Sequence, residues 1–344
     1  MPLNQLNTSA APAELIATAV RSVMAGETLP EAAAAHNLDV GELADALDTY
    51  DRAGRAAVYD RTADTTWWQA HLEFSAWEQA ELIAASALAP LLNAWCRTGL
   101  LRQWWFIRKA PSWRLRLQPD TDHDALRTRA AAELDRLVQQ GHLASWRPSH
   151  YEPEALAFGG PSGIRIAHTL FSADSANLLA HLHTRHVPLG RVELSMLLCT
   201  QLFRAAGQEQ FEAADIWHRV TYLRPHPQHP STDTGHHTDL TQQLRTLLTY
   251  DARPTGPLFA PEGSLHAAHD WAHAFHEAGR DLARAARESK VHRGVRHILA
   301  HHVIFHWNWL GLDTNTQHAL APAAPCALLP LETTGSLGRT VFPA

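Results

Sequence analysis

Apolar residues recur every three to four positions in ELIATAVRSVMAGE, LPEAAAAHN and DVGELADALDTYDRAG, a spacing that predicts three helices between residues 13 and 58. Gly26 and Gly54 stand where helices should stop, and Asp39 is placed to cap the third. From Trp67 the period changes. WWQAHLEFS (67–75), LRQWWFIRK (101–109), WRLRLQP (113–119) and LASWRPSHY (143–151) read as strands. Between them AWEQAELIAASALAPLLNAWC (76–96), with Pro90 near its end, and DHDALRTRAAAELDRLVQQG (122–141) read as helices. The order β-α-β-β-α-β predicts a ferredoxin-like sheet. Helical spacing then dominates, at 172–183, 190–206, 209–223, 238–250, 264–288 and 292–310. The segment 225–238 reads as a polar, Pro- and His-rich loop. The fold class expected is therefore α+β: a βαββαβ sheet followed by a mainly helical half. A helix-turn-helix-like unit (1–60) precedes the main domain (61–320), and a flexible, Pro-, Gly- and Thr-rich tail (321–344) follows it.

Composition narrows the function classes. A chain of 344 residues with 45% apolar and 19% charged residues is a soluble globular type. The net charge of −6 gives no general case for nucleic acid. The third N-terminal helix carries Asp39, Glu42, Asp45, Asp48 and Asp51, which would repel phosphates, so no DNA partner is expected. The N-terminus lacks a basic region followed by an apolar run, and no stretch is long enough to span a bilayer. Three dispersed cysteines with no CxxC pair call for neither a zinc ribbon nor a disulfide, which fits a cytoplasmic location. Histidine, at 24 residues, and tryptophan, at 12, are the outliers.

Three stretches could carry chemistry. In HHVIFHWNWLGL (301–312), His302 and His306 lie at i, i+4 on one helical stripe with Val295, Leu299 and Leu310. The spacing allows a metal pair, but the carboxylate of an HExxH site is missing; packing and a single general base remain open. In WWFIRKAPSWRLRLQP (104–119), alternation puts Arg114 and Arg116 on one face of a strand. Arg108 lies on the preceding strand, so the three guanidinium groups are expected to gather and to want carboxylates, a ligand's or the protein's own; a solvated basic face is the plainer alternative. In HYEPEALAFGGPSGIRIAHTLFSADS (150–175), Glu152 and Glu154 would point to one side if extended and could meet those arginines. Ser172 is placed to cap a helix, and the Gly-Gly turn is no phosphate loop.

Together WWFIRKAPSWRLRL, YEPEALAFGG with AHTLFSADS, and LAHHVIFHWNWLGL resemble the thiopeptide-type bacteriocin biosynthesis domain, the C-terminal domain of lantibiotic dehydratases that also occurs as a separate protein. The likeness runs from about Trp67 to about Ala321, and the unit before it resembles the N-terminal extension of stand-alone members. The resemblance implies action on a ribosomal precursor peptide (leader and core). In full dehydratases a separate domain glutamylates Ser and Thr, and this smaller domain eliminates glutamate to leave dehydroamino acids. By that likeness His306 is the base, Arg108 holds the glutamyl carboxylate or developing charge, and Glu154 orients Arg108 or moves protons. Arg114 and Arg116, with His302 and Glu152, would complete substrate binding. Nisin-type members continue the YEPE motif into Arg-Tyr-Gly-Gly, and the resembling family usually has an Arg after HWN; here those places hold Ala157-Phe158-Gly159-Gly160 and Trp309.

Three functions follow: elimination with a glutamylating partner subunit, formal [4+2] cycloaddition of two dehydroalanines to build a thiopeptide pyridine, or non-catalytic leader binding. None calls for a metal or organic cofactor or a membrane, and a homodimer is left open.

Overall fold

The computed structural model describes residues 13–182, 189–225 and 234–329. The chain forms two compact units, Met1–Thr62 and Ala63–Ala344.

In the first unit, helices α1 (Ala13–Met24), α2 (Leu29–Ala35) and α3 (Val40–Thr66) bury Ala19, Val20, Ala32, Ala33 and Leu43 against one another. Asp39 caps α3 as expected, its Oδ1 accepting the Glu42 amide at 3.0 Å. Gly54 does not stop that helix, which continues to Thr66. Ion pairs Arg52–Asp48 (3.2 Å) and Arg55–Asp51 (2.8 Å) at i, i+4 spacing brace this stretch, so a single glycine is carried through.

The second unit opens with strands β1 (Trp68–Phe74), β2 (Leu101–Lys109), β3 (Ser112–Pro119) and β4 (Leu143–Ser149). They lie in the order β2-β3-β1-β4, antiparallel throughout, which is the split βαβ arrangement the sequence predicts. A helical run α4 over residues 77–97 links β1 to β2, with a wider turn at Ala84–Leu88 just before Pro90. Helix α5 (His123–Gln139) links β3 to β4, its first amides capped by Asp122. Both cover the same sheet face: Trp104 donates to Asn93 of α4 at 3.2 Å and Trp146 to Asp135 of α5 at 2.8 Å.

The opposite face meets a layer of helices: α6 (Pro161–His181), α7 (Arg191–Ala205), α8 (Gln210–Leu223), α9 (Thr234–Thr249), α10 (His269–Arg287), α11 (Val295–Leu310) and α12 (Thr314–Leu328). Helix α6 packs on β2, and α11 packs on α6, α8 and β2. Three sequence expectations are corrected here. Ser172 is not a cap, because α6 already begins at Pro161, where Gly160 (φ +86°) turns the chain and proline suits the first helical turn. The loop expected over 225–238 is helical from Thr234. The tail expected from 321 is helical to Leu328 despite Pro322 and Pro325, because Leu320, Ala321, Ala323, Ala324, Ala327 and Leu328 are buried, with α12 packed on α8 and α9. The remainder of that segment, from 330, lies outside the described residues.

Candidate functional site

Strand register decides which side chains can meet. In the β2–β3 hairpin Lys109 pairs with Ser112, Arg108 with Trp113, Ile107 with Arg114 and Trp105 with Arg116. Directly paired residues share a face. Arg108 therefore lies on the face of Trp113, where its guanidinium carbon sits 5.0 Å from the ring centroid. Arg114 and Arg116 lie on the other face. The expected gathering of three arginines does not form.

Arg108 has an internal partner. It ion-pairs with Glu81 of α4, whose carboxylate also takes two hydrogen bonds from Arg191 of α7, at 2.8 and 2.6 Å. Burial pushes the Glu81 carboxyl up, but the Arg191 hydrogen bonds and the Arg108 charge more than offset this and hold it below its ordinary range. Arg191 reaches the Leu310 carbonyl too, at 3.0 Å, and so closes the C-terminal end of α11. There Gly311 adopts φ +67°; a Cβ at this position would lie 2.8 Å from Arg108 Nη1. Arg108 thus ties sheet to helices. It does not meet Glu154, which the sequence reading had it do.

Arg116 is 7% exposed and held on three sides. Its guanidinium lies over Trp105 (4.0 Å) and Tyr151 (4.3 Å), and its Nε donates to Gln69 Oε1 at 2.7 Å. The Gln69 amide in turn donates to Ser149 Oγ and the His150 carbonyl, at 2.6 and 2.8 Å, so the glutamine's orientation is fixed. Burial is the main influence and pulls the Arg116 pKa down to about 10, leaving it charged at neutral pH; Tyr151 and Glu154 act in the opposite sense. Half-buried Arg114 is beside it on the strand and has no ion pair among the described residues. Glu154 and Glu152 are exposed on the loop before α6, and neither forms an ion pair among the described residues. The charge of Glu154 acts on both Arg116 and His301. Arg114 and Arg116 thus share one face of β3, Tyr151 lies against the Arg116 guanidinium, and the Glu154 charge acts on both Arg116 and His301.

The α11 histidines separate. His306 is 1% exposed; its Nδ1 donates to Asp174 Oδ2 at 2.8 Å. Asp174 Oδ1 accepts from Trp271 at 2.7 Å, and Phe275 and Trp271 face the imidazole edge-on. Its Nε2 is buried without a hydrogen-bond partner. His302 lies under Phe158 and Phe171, and burial lowers its pKa to about 3, so it is neutral at neutral pH. His301 is half-buried. Its Nδ1 lies 2.9 Å from the His297 carbonyl, which only accepts, so in the neutral ring the lone pair is on Nε2. Burial lowers its pKa, the His297 carbonyl opposes this, and Arg293 adds to it. Among the described residues no group of three His, Cys, Asp or Glu side chains is arranged to hold a metal.

Trp309 sits where the resembling family places arginine. Its indole packs on Trp105 (5.8 Å between centroids), Phe171 (4.6 Å) and Phe305 (5.8 Å), and its N–H is hydrogen-bonded to the Phe106 carbonyl. The Phe106 amide donates to Ser175 Oγ at 3.3 Å. The aromatic wall continues through Trp67, Tyr151 and His168, whose Nε2 is 2.7 Å from the Tyr151 hydroxyl. Burial, with Arg116 a lesser cause, lowers the His168 pKa to about 3. A separate cleft of about 340 Å³, lined by residues including Thr200, Phe203, Trp217 and Leu248, belongs to the helical layer and contains none of these groups.

Tyr151, His301 and Gln69 were not named as site residues by sequence. Tyr151 was legible as part of YEPE. The others become neighbours only through sheet register and helix rotation.

The family described as the lantibiotic biosynthesis dehydratase C-terminal domain matches residues 67–324, and the chain belongs to it. Among solved structures, the tRNA-dependent lantibiotic dehydratase MibB from Microbispora sp. 107891 is similar at TM-score 0.58 and 18% identity, over 77% of this chain and 28% of that one. The chain thus corresponds to under a third of that dehydratase. TbtD, the pyridine synthase from thiomuracin biosynthesis, is similar at TM-score 0.52 and 16% identity, covering 76% of this chain and 97% of its own. TsrL is similar at TM-score 0.50 and 16% identity, covering 76% and 98%. At these identities the likeness is one of fold. Comparison with curated proteins gives no significant match. Membership places the chain in the maturation of ribosomally made peptides. Among the described residues no helix is long and apolar enough to cross a membrane.

Proposed function

We propose that this protein eliminates glutamate from glutamylated Ser or Thr side chains of a precursor peptide, downstream of a separate glutamylating subunit. The observation that carries the reading is the pair Arg114 and Arg116 on one face of β3, with no acid paired to either arginine among the described residues. Cations with unused donors suit a glutamyl carboxylate. Arg116 is held by two rings and Gln69, so little ordering is needed when charge arrives.

In the reaction a base takes the Cα proton of the esterified residue. The Cα–Cβ double bond forms, the Cβ–O bond breaks, and glutamate departs as an anion held by Arg114 and Arg116. We place the base at His301 because its Nε2 carries the lone pair and the Glu154 charge favours the imidazolium that forms. His306, enclosed on Asp174, supports the helix that carries His301. His301→Ala is expected to slow elimination about 100-fold at unchanged melting temperature. His306→Ala should instead lower the melting temperature, since it leaves Asp174 Oδ2 buried without its partner. Parental rates in the His301 variant, measured by peptide mass, would return the base to His306.

A second reading is favoured by one observation. Trp309 and Ala157 stand where resembling members carry cations, so less positive charge is present, which suits joining two uncharged dehydroalanines. The mass spectrum of the cognate precursor, incubated with the glutamylating partner with and without this protein, separates the two. Elimination predicts that glutamylated peptide accumulates without it and becomes water-loss product with it. Dehydrated peptide formed in its absence sinks the elimination reading. Release of leader and macrocycle on adding the protein would then support cyclisation, and neither event would leave leader binding.

A further inference from the structure

The sheet face that bears Arg116 continues beyond it. Register places Ile107, Arg114, His71 and Arg147 side by side across all four strands, one row from Trp105, Arg116, Gln69 and Ser149. Arg147 Nη2 lies 3.0 Å from His71 Nδ1. A guanidinium only donates, so His71 accepts there and its proton sits on Nε2. The free hydrogen-bonding positions of this row are therefore all donors: two guanidinium groups and one imidazole N–H. Neither Arg114 nor Arg147 has an ion pair among the described residues. The acid on the next row, Glu73, accepts a hydrogen bond from Ser145 at 2.9 Å. In a chain of net charge −6 this is a local cationic strip. The low pKa of His71, caused first by burial and then by Arg147, Arg114 and Arg116, reflects the same crowding of positive charge.

Arg114 and Arg147 stand two strands apart, roughly 10 Å at the usual strand spacing. An extended chain with successive acceptors can meet both guanidinium groups and the imidazole between them. We propose that Arg114, His71 and Arg147 form a docking strip for an acidic segment of the substrate peptide, running from the Arg116 site to the open edge strand β4. The strip sets specificity: peptides with Asp or Glu near the residue to be modified bind better. The proposal rests on the reading that the adjoining site handles a peptide. It names a peptide because the adjoining site is read as one that handles a peptide, and a nucleic acid is an outcome of the test.

The test uses the full chain and a fluorescein-labelled synthetic peptide of alternating Glu and Ser, with a Gln–Ser peptide as the uncharged match. Anisotropy should show the Glu peptide binding at least about tenfold tighter, with affinity falling as salt rises. Arg147→Glu should remove most of that preference, and Arg147→Lys should keep it. Arg147 is exposed, so both variants are expected to melt as the parent does. Equal affinity for the two peptides, or a preference unchanged in Arg147→Glu, would overturn the proposal. So would a single-stranded oligonucleotide of equal length that displaces the Glu peptide at lower concentration than unlabelled Glu peptide does. Because binding is read without turnover, a failed elimination assay leaves this result standing, and a failed binding assay leaves the elimination reading standing.

Discussion

Arg116→Ala should cut the rate of glutamate elimination by about 100-fold or more, the usual effect of deleting one fixed donor that meets charge developing in a transition state. The effect should be larger than for Arg114→Ala, because Arg116 alone is locked by Trp105, Tyr151 and Gln69 and is removed from water. Arg116→Lys keeps the charge but cannot present a planar fork between the rings, so it should recover only a small part of the rate. Single-turnover peptide mass spectrometry on protein confirmed to be folded makes the comparison. A fully active Arg116→Ala protein would remove the arginine pair from the mechanism and favour the cyclisation reading, whose substrate has already lost its glutamates.

The largest effect on stability should come from Glu81. Its carboxylate neutralises Arg108 and Arg191 together. Glu81→Ala would leave Arg108 with no anion while its Nε and Nη2 are already buried and unpartnered. Breaking a buried pair from one side costs about 3–5 kcal/mol, and the low end applies here because both side chains keep some water contact. The same pair gives a pH signature. A carboxyl held below its ordinary pKa in the folded state contributes stability that is fully present above the unfolded value. That contribution is lost as pH falls through the depressed folded value. Acid melting of the parent should therefore steepen in this range, and Glu81→Gln should flatten it. A Glu81→Ala protein that melts with the parent would show that the arginines find other partners.

Alternation and helical period made most of the second unit legible: four strands, their helical crossovers, and the helices of the second layer. They failed where a whole-number offset decides the outcome. Arg108 shares a hairpin with Arg114 and Arg116, yet the tight turn at 110–111 pairs it with Trp113 and turns it to the opposite face. One more residue in that turn would have reversed the result. On α11 the stripe of His302 and His306 was correctly grouped, but a stripe facing the core looks the same in sequence as one facing a cleft. His301, one position away around the helix, is the ring left half-buried. The α12 prolines misled for a different reason: local propensity argues for loose chain, and burial of the surrounding alanines and leucines outweighs it.

Near its midpoint the outer edge of β2 is stoppered, the Phe106 amide by Ser175 and its carbonyl by Trp309. A sheet edge blocked at its midpoint is a poorer template for an added strand than an unblocked one. The Trp309 indole therefore also occupies one acceptor of a sheet edge, and its loss should show in how the concentrated protein ages.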